Sequence, residues 1–296
     1  MKKLIFEGSG VALVTPFTND GVNYEVLEEL IEFQIDNGTD AIIVCGTTGE
    51  PATMSDEEKH DVIRFTVEKV NGRVPVIAGT GSNSTRHSVE LSMYAESVGA
   101  DGLLIVTPYY NKTTQRGLVA HYKTIAMTTK LPIILYNVPG RTGLNMMPRT
   151  IAELSEIENI VGLKEASGNF SQIAEIMTLC GEDLWLYSGN DDQVVPMLAL
   201  GGVGVISVAA NVIPHDMHRM VKYYLAGEGR KSREIQLQAI ELIQALFSEV
   251  NPIPVKEAVR QIGFDVGKCR MPLVDMTEEG QMRISVALKN YFDRME

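Results

Sequence analysis

Lys164 follows a short apolar run at residues 160–163 and is the residue that most directly indicates covalent chemistry. Lysine is seldom buried without a partner or a role. A structural ion pair with Glu165 is the alternative, but successive residues of a strand point to opposite faces. An amine with an unperturbed pKa of about 10.4 is only ~0.04% neutral at pH 7, and burial lowers that pKa. We therefore predict that Lys164 is a Schiff-base nucleophile.

Three hydroxyl groups, those of Tyr136, Tyr110 and Thr47, lie near the ends of other apolar runs. Each has a simpler interpretation when taken alone. A tyrosine in a strand usually packs with its hydroxyl at the rim, and a threonine near a glycine usually belongs to a turn. If their strand ends meet, however, the three hydroxyls can form a relay that moves protons to and from a carbinolamine.

Thr48 and Arg141 are candidates for binding carboxylates. Residues 47–50 can form a turn whose backbone N–H groups and Thr48 hydroxyl bind an anion. Arg141, just past the apolar run at residues 133–136, would be typical of a solvated surface charge if it stood alone. Beside a lysine and an anion-binding turn, its guanidinium group is a candidate for binding a second acidic substrate.

Eight short apolar runs, each followed by a segment of helical periodicity, must position these residues. This alternation is typical of βα units around a parallel sheet whose strands are covered on both faces. Eight units without a Gly-x-Gly-x-x-G at the first turn favour a closed (β/α)8 TIM barrel, an α/β fold, over a doubly wound sheet. Active sites of such barrels lie where the strands end. The predicted strands are residues 10–14, 41–45, 74–78, 102–106, 133–136, 160–164, 184–188 and 203–207.

The last part of the chain is predicted to be a C-terminal helical extension. Eight βα units end near a Gly227-Glu228-Gly229 break, and the later apolar residues recur at helical spacing. We therefore expect a catalytic barrel at residues 1–227 and a helical domain at residues 228–296.

Composition and charge argue against several classes of function. Among 296 residues, 26 Lys and Arg stand against 38 Asp and Glu, and the net charge of −12 disfavours binding to nucleic acid or to an anionic membrane. Three cysteines without Cys-x-x-Cys spacing, and an N-terminus without a signal peptide, favour a cytoplasmic protein.

The uncharged segment 193–214 is long enough to span a bilayer, but its Pro and Gly residues favour a helix, a turn and a strand. His215 and His218 lack a third ligand, which favours a surface helix over a zinc site.

Five motifs resemble the dihydrodipicolinate synthase/N-acetylneuraminate lyase family of pyruvate-dependent class I aldolases, and the resemblance covers nearly the whole chain. The motifs are Gly46-Thr47-Thr48-Gly49-Glu50, Val106-Thr107-Pro108-Tyr109-Tyr110-Asn111, Tyr136-Asn137-Val138-Pro139-Gly140-Arg141-Thr142-Gly143, Gly162-Leu163-Lys164-Glu165-Ala166-Ser167-Gly168 and Asn251-Pro252-Ile253-Pro254-Val255-Lys256.

The resemblance implies that Lys164 forms an imine with pyruvate and that Thr47, Tyr110 and Tyr136 form the proton relay. In this family Tyr110 is typically contributed to the site of a neighbouring subunit. The resemblance therefore implies a homotetramer, commonly a dimer of dimers, whose assembly the helical extension assists. It implies no metal or organic cofactor, because the lysine imine itself is the electron sink.

The resemblance also implies the substrate-binding residues. Thr48, with Gly189 and Ile206, would bind pyruvate, and Arg141 would bind the carboxylate of L-aspartate-4-semialdehyde. The Arg-Thr-Gly that begins at Arg141 is similar to the synthase branch, which begins lysine biosynthesis through diaminopimelate, and not to the sialate lyases. Asn190 departs from the aspartate of many members, but either residue can cap a helix.

Feedback inhibition by lysine is expected to be weak or absent. Inhibited members of the family bind lysine at a dimer interface, where a glutamate holds one of its amines. In this sequence His87 replaces that carboxylate and Lys59 adds a cation, so a cationic ligand should bind poorly. The matching positions are Pro51, Asp56, Lys59, Asn83, His87 and Tyr109.

Two other functions stay open at this point. One is an aldolase of the same family that acts on N-acetylmannosamine or a keto-deoxy sugar acid. The other is a non-catalytic barrel that senses a ligand. The second alternative predicts the loss of at least one residue among Lys164, Tyr136, Thr47 and Tyr110, and all four are present.

Overall fold

The computed structural model describes residues 2–294, which form a closed barrel of eight parallel strands with helices between them. Strand β1 pairs with β8 from Gly8↔Gly204 to Val11↔Ser207 and so closes the barrel. The predicted (β/α)8 TIM barrel is confirmed. The strands are β1 (Gly8–Ala12), β2 (Ala41–Val44), β3 (Val76–Gly79), β4 (Gly102–Val106), β5 (Ile133–Asn137), β6 (Ile160–Glu165), β7 (Trp185–Ser188) and β8 (Gly202–Ser207).

Most of the helices lie between successive strands and cover the outside of the barrel. Helix α2 begins with a capping box, in which the Ser55 side chain accepts from Glu58 N and the Glu58 side chain accepts from Ser55 N. The helices are α1 (Tyr24–Asp36), α2 (Asp56–Val70), α3 (Thr85–Ser97), α4 (Gln115–Ala126), α5 (Pro139–Thr142), α6 (Pro148–Ser155), α7 (Phe170–Cys180), α8 (Val194–Ala199), α9 (Pro214–Leu225), α10 (Gly229–Leu246), α11 (Ile253–Gln261) and α12 (Glu278–Asp293).

All eight predicted strands are present, and their bounds differ from the prediction by at most two residues. Strand β1 begins at Gly8, two residues earlier than expected, because its first three residues, Gly-Ser-Gly, lack the apolar side chains that mark a strand in sequence. Strand β3 begins at Val76 and not at residue 74. Pro75 precedes it and has no N–H group to donate to the ladder.

The uncharged segment 193–214 contains α8, a turn and β8, as predicted. Both elements bury apolar side chains against the rest of the barrel. No helix in the described part of the chain is long and apolar enough to cross a membrane.

The chain beyond α9 is helical, and it contacts the barrel through the segment after α11. The backbone N–H of Phe17, in the loop after β1, donates to the carbonyl of Val266 at 3.0 Å. Gly267 follows with a φ of +65°, and a Cβ atom there would lie 1.9 Å from the carbonyl oxygen of Phe17. Only glycine permits this close approach. The helices are as expected, whereas the division into two domains at residue 227 stays a prediction.

Candidate active site

Lys164 lies in β6 and is only 5% exposed. It pairs in register with Tyr136 of β5, and its Nζ atom is 4.3 Å from the centroid of the Tyr136 ring. The carboxylate of Glu165 is held elsewhere, because it accepts hydrogen bonds from Asn137 Nδ2 at 2.9 Å and from Ser167 N at 2.6 Å. The ion-pair alternative for Lys164 therefore has no support in this arrangement.

The surroundings of Lys164 favour its neutral form. Burial is the largest influence and lowers the pKa of Lys164 to about 8. The positive charge of Arg141 acts in the same direction, whereas the carboxylate of Asp191 raises the pKa. With a pKa of about 8, roughly a tenth of the amine is neutral at pH 7, which is far more than for a solvated lysine.

The turn after β2 carries two of the predicted site residues. Thr47–Gly49 forms a single turn of 3-10 helix between Cys45 and Glu50, which have φ values of +54° and +56°. Gly79 at the end of β3 makes room for this turn, since a Cβ atom there would lie 2.2 Å from the carbonyl oxygen of Cys45. The conformation of the turn therefore depends on its packing against the neighbouring strand.

Asn251 connects the two residues that are predicted to bind carboxylates. Its side-chain Nδ2 donates to Thr48 Oγ1 at 3.0 Å, and its backbone oxygen accepts from Arg141 Nη2 at 3.1 Å. Asn251 is 5% exposed, and it lies 203 residues after Thr48. Sequence analysis included Asn251 in a motif but did not find this role, because an Asn-Pro pair alone indicates only a turn.

A cavity of about 670 Å³ opens at this end of the barrel, and Thr47, Tyr136, Arg141 and Asn251 are among the described residues that line it. Burial raises the pKa of the Tyr136 phenol, while the charge of Arg141 and a hydrogen bond with the Thr47 side chain act against that rise. Three predicted residues are therefore brought together around one space. Lys164 is not among the lining residues.

Thr48, Gly189 and Ile206 are also absent from the described lining of the cavity. Thr48 is 2% exposed. Ile206 in β8 is 1% exposed and belongs to the same interior hydrophobic cluster as Tyr136. A Cβ atom on Gly189 would lie 3.2 Å from Cε of Lys164, so glycine there leaves space around the lysine. Asn190 lies at the N-cap position of the 3-10 turn Asp191–Gln193, as expected, but its side chain donates to Gln193 Oε1 and accepts no helical N–H.

Tyr110 is not brought into the site of its own chain. It is 91% exposed and has a φ of +66°, which is uncommon for a bulky residue. The next residue is fixed, since Asn111 Nδ2 donates to the carbonyl of Asn83 at 3.0 Å. The side chain of Tyr110 is therefore presented to the outside from an ordered loop.

Five of the six positions that the sequence analysis matched to the family's lysine site line the same cavity, and the sixth, Asp56, contacts two of them. Pro51, Asn83 and Tyr109 line it with Lys59 and His87. The carboxylate of Asp56 bridges the two basic side chains, with Oδ1 3.0 Å from Lys59 Nζ and 2.9 Å from His87 Nε2.

A buried ion pair joins the turn after β2 to the C-terminal helices, and sequence analysis did not predict it. Lys256 Nζ is 2.7 Å from Glu50 Oε1, and both side chains are 1% exposed. The other oxygen of Glu50 accepts from the backbone N–H of Arg270 at 2.9 Å. Lys256 Nζ and Arg270 Cζ lie 4.3 and 4.0 Å from the centroid of the Phe17 ring. These contacts anchor the C-terminal segment beside the site.

His218, which the sequence places on a surface helix, lies in α9 with its Nδ1 atom 2.8 Å from Asp40 Oδ2. Within residues 2–294, no group of three or more His, Cys, Asp or Glu side chains is arranged to hold a metal ion.

Comparison with known proteins relates these features to one family. The sequence model of the Dihydrodipicolinate synthetase family matches residues 5–291. The chain is 61% identical over 291 residues to the 4-hydroxy-tetrahydrodipicolinate synthase of Acetivibrio thermocellus, with 98% of this chain and 99% of the relative covered. It is 58% identical over 288 residues to the protein of the same name from Thermoanaerobacter sp., with 97% of each covered. The crystal structure of dihydrodipicolinate synthase from Aquifex aeolicus is similar with a TM-score of 0.95 and 48% identity, and the match covers 97% of this chain and 98% of that one.

Proposed function

The chain belongs to the dihydrodipicolinate synthetase family, and on that premise we propose that Lys164 is the residue with which it forms an imine with pyruvate. The activity is that of a 4-hydroxy-tetrahydrodipicolinate synthase, a lyase that condenses pyruvate with L-aspartate-4-semialdehyde in the first committed step of lysine biosynthesis through diaminopimelate. The observation that carries the assignment is the burial of Lys164, which lowers its pKa to about 8.

The first stage activates pyruvate. The neutral amine of Lys164 adds to the C2 carbonyl, and the carbonyl oxygen leaves as water after it is protonated. The nitrogen of the resulting iminium ion draws electrons from C3, so that loss of a C3 proton gives a neutral enamine. Thr47 and Tyr136 are the proposed proton carriers, and this role is supported by their common position at the cavity wall, where the Thr47 side chain lowers the pKa of the Tyr136 phenol.

The second stage forms the new carbon–carbon bond. The enamine C3 attacks the aldehyde carbon of L-aspartate-4-semialdehyde, and the resulting alkoxide takes up a proton. The amine of this substrate then replaces Lys164 at the imine carbon, which closes the ring and frees the lysine. One water molecule is released over the two stages, and no electrons are exchanged with another molecule.

Two residues are proposed to bind the substrate carboxylates. Thr48 and the N–H groups of its turn would hold pyruvate, with Gly189 and Ile206 at the same pocket. Arg141 would hold the carboxylate of the semialdehyde, because a guanidinium group can donate two parallel hydrogen bonds. The shared contact with Asn251 supports a fixed distance between the two groups.

Tyr110 is proposed to complete the proton relay of a neighbouring subunit in a homotetramer. Its exposure of 91% on an ordered loop supports a role outside its own chain. Light scattering after size-exclusion chromatography would measure the assembly, and a monomer with full activity would contradict the proposal.

Because the substrates are metabolic intermediates and Cys45, Cys180 and Cys269 are free thiols, we further propose a cytoplasmic location.

Reductive trapping tests the central assignment. With pyruvate and cyanoborohydride, we expect mass spectrometry to find one reduced pyruvyl group on Lys164. Lys256 is an internal control, since it is buried but paired with Glu50 and should not be labelled. Lys164→Ala should remove the adduct and lower the condensation rate with L-aspartate-4-semialdehyde. An adduct at another lysine would refute the assignment.

A further inference from the structure

Asp191 is a buried carboxylate to which the reaction above gives no role. It lies three residues after the end of β7 and is 2% exposed. Its Oδ2 atom accepts hydrogen bonds from the backbone N–H groups of Val208 and Ala209, at 3.0 and 2.8 Å. The nearby Ser207 hydroxyl also favours the charged carboxylate, but the Oδ1 atom is buried and has no hydrogen-bond partner of normal geometry among residues 2–294. An unpartnered buried oxygen of this kind is rare and calls for a compensating charge.

The fold places Asp191 at the same end of the barrel as Lys164, without a direct ion pair between the two side chains. Lys164 pairs in register with Tyr187 of β7, and a Cβ atom on Gly189 would lie 3.2 Å from Cε of Lys164. Asp191 comes two residues after Gly189, and its carboxylate bonds to the backbone beyond the end of β8. It therefore lies at the end of the barrel that also holds the amine.

Few charges reach the Lys164 amine. Tyr136 presents its ring to the amine, and Glu165 is held by Asn137 and Ser167. Of the charged side chains described, Arg141 and Asp191 act on it, and Asp191 is the one of opposite sign. Burial lowers the pKa of Lys164 and raises that of Asp191. Asp191 opposes the first shift, and Lys164 opposes the second to a smaller degree than the hydrogen bonds that Asp191 accepts.

We propose that Asp191 is the charge partner of the iminium ion that forms on Lys164, an inference that rests on the proposed function. The neutral amine and the C2 ketone of pyruvate combine with one proton and release one water. A positive charge thus appears on the nitrogen, in a place where burial disfavours cations. A carboxylate already fixed by two N–H groups stabilises that charge without rearrangement. Asp191 acts through Lys164, so it is a positioning residue.

Two matched variants test this role. Asp191→Asn keeps an oxygen that can accept from Val208 and Ala209 but removes the charge. Asp192→Asn removes the neighbouring exposed carboxylate and serves as the control. The readout is cyanoborohydride trapping of pyruvate on Lys164, measured by mass spectrometry across a pH series.

We expect Asp191→Asn to move the midpoint of trapping to lower pH by roughly one to three units, because the pKa of Lys164 falls when the carboxylate charge is lost. The pyruvate concentration for half-maximal trapping should rise about tenfold or more, because the iminium ion loses its counter-charge. Asp192→Asn should match the wild type. A uniform loss of yield with an unchanged midpoint would indicate a structural role only and would overturn the inference.

A second measurement applies if Asp191→Asn does not fold. In Lys164→Met, Asp191 loses its positive partner, so the infrared band of a protonated buried carboxyl group should persist to higher pH than in the wild type. Identical titrations in the two proteins would overturn the inference. If the wild type itself gives no adduct on Lys164, the proposed function fails and this inference fails with it. A wild-type adduct with unchanged behaviour of Asp191→Asn overturns the inference alone.

Discussion

The amino group of Lys164 and the ring of Tyr136 are held together by strand register, with Nζ 4.3 Å from the ring centroid. The face of an aromatic ring attracts a cation, so this contact favours the ammonium form and opposes the effect of burial. In the proposed mechanism, the same face also contacts the iminium nitrogen that forms when pyruvate adds to Lys164. The two strands thus provide one surface that suits both charged forms of the nitrogen.

The first prediction concerns pH. Because the neutral amine attacks pyruvate and the pKa of Lys164 is lowered to about 8, the initial rate of reductive trapping should rise with pH through about 8 and then level off. This rate is measured by stopping the trapping reaction at successive times and determining the labelled fraction of the protein by mass spectrometry. A rate that continues to rise towards the usual lysine pKa of about 10.4 would contradict the prediction.

The second prediction separates the charge of Arg141 from its shape. Arg141→Lys keeps the positive charge that lowers the pKa of Lys164, so the pH midpoint of trapping should not change. The side chain loses its two parallel donors, so KM for L-aspartate-4-semialdehyde should rise roughly ten- to hundredfold. Steady-state kinetics with each substrate varied in turn measure the difference. Arg149→Lys, at an exposed position, is the control, and an equal change there would refute the assignment.

The third prediction concerns the contact between Asn251 and Thr48. Asn251→Ala removes the hydrogen bond to the Thr48 hydroxyl but keeps the backbone oxygen that Arg141 contacts. KM for pyruvate should rise roughly three- to tenfold, and KM for the semialdehyde should change less. Asn159→Ala is a matched control. Asn159 lies just before β6, at the other end of the barrel, and its side chain donates to the backbone carbonyls of Ala126 and Thr129. Equal effects on pyruvate binding in both variants would show that the contact has no specific role.

The fourth prediction concerns the buried pair of Glu50 and Lys256. Lys256→Met leaves the Glu50 carboxylate without its partner, and we expect the free energy of unfolding to fall by about 3–5 kcal/mol. Urea unfolding measures it. The double variant Glu50→Gln with Lys256→Met should recover most of the loss, because no unpaired charge remains. Lys289→Ala, which breaks an exposed pair with Asp293, should cost about 1 kcal/mol or less. A double variant no more stable than Lys256→Met would contradict the prediction.

The fifth prediction is weak or absent inhibition by lysine. Two basic side chains, Lys59 and His87, share the single carboxylate of Asp56 at the cavity wall, so an added cationic ligand meets little unpaired negative charge. Steady-state rates with lysine as the varied inhibitor test this. A micromolar inhibition constant would show that the prediction is wrong.

The fold was predictable because most strands contain a continuous apolar run and each run is followed by a helical segment. Closure of the barrel then brings strand ends together, which is why Thr47, Tyr136 and Arg141 were found as one group. Strand β1 shows the limit of sequence patterns, since Gly8 and Ser9 are recognisable as strand residues only through their partners on β8.

The supporting residues could not be predicted in the same way. Asn251 and Thr48 meet across 203 residues, and no periodicity in the sequence encodes such a contact. In the sequence, Lys256 has the features of an ordinary helical lysine, and only the structure shows that it is paired with Glu50. Asp191 follows a Ser-Gly turn, where an aspartate is usual, and only its burial and its unpartnered oxygen distinguish it.

The contact between Asn251 and Thr48 also sets an order of events during protein synthesis. Lys164, Tyr136 and Arg141 leave the ribosome long before Asn251, which contacts both residues that are proposed to bind carboxylates. A nascent chain, or a fragment cut by a protease before Asn251, therefore carries the reactive lysine without the pocket that selects its substrates. Only a chain that extends beyond Asn251 can unite the proposed nucleophile and the proposed carboxylate-binding groups in one molecule.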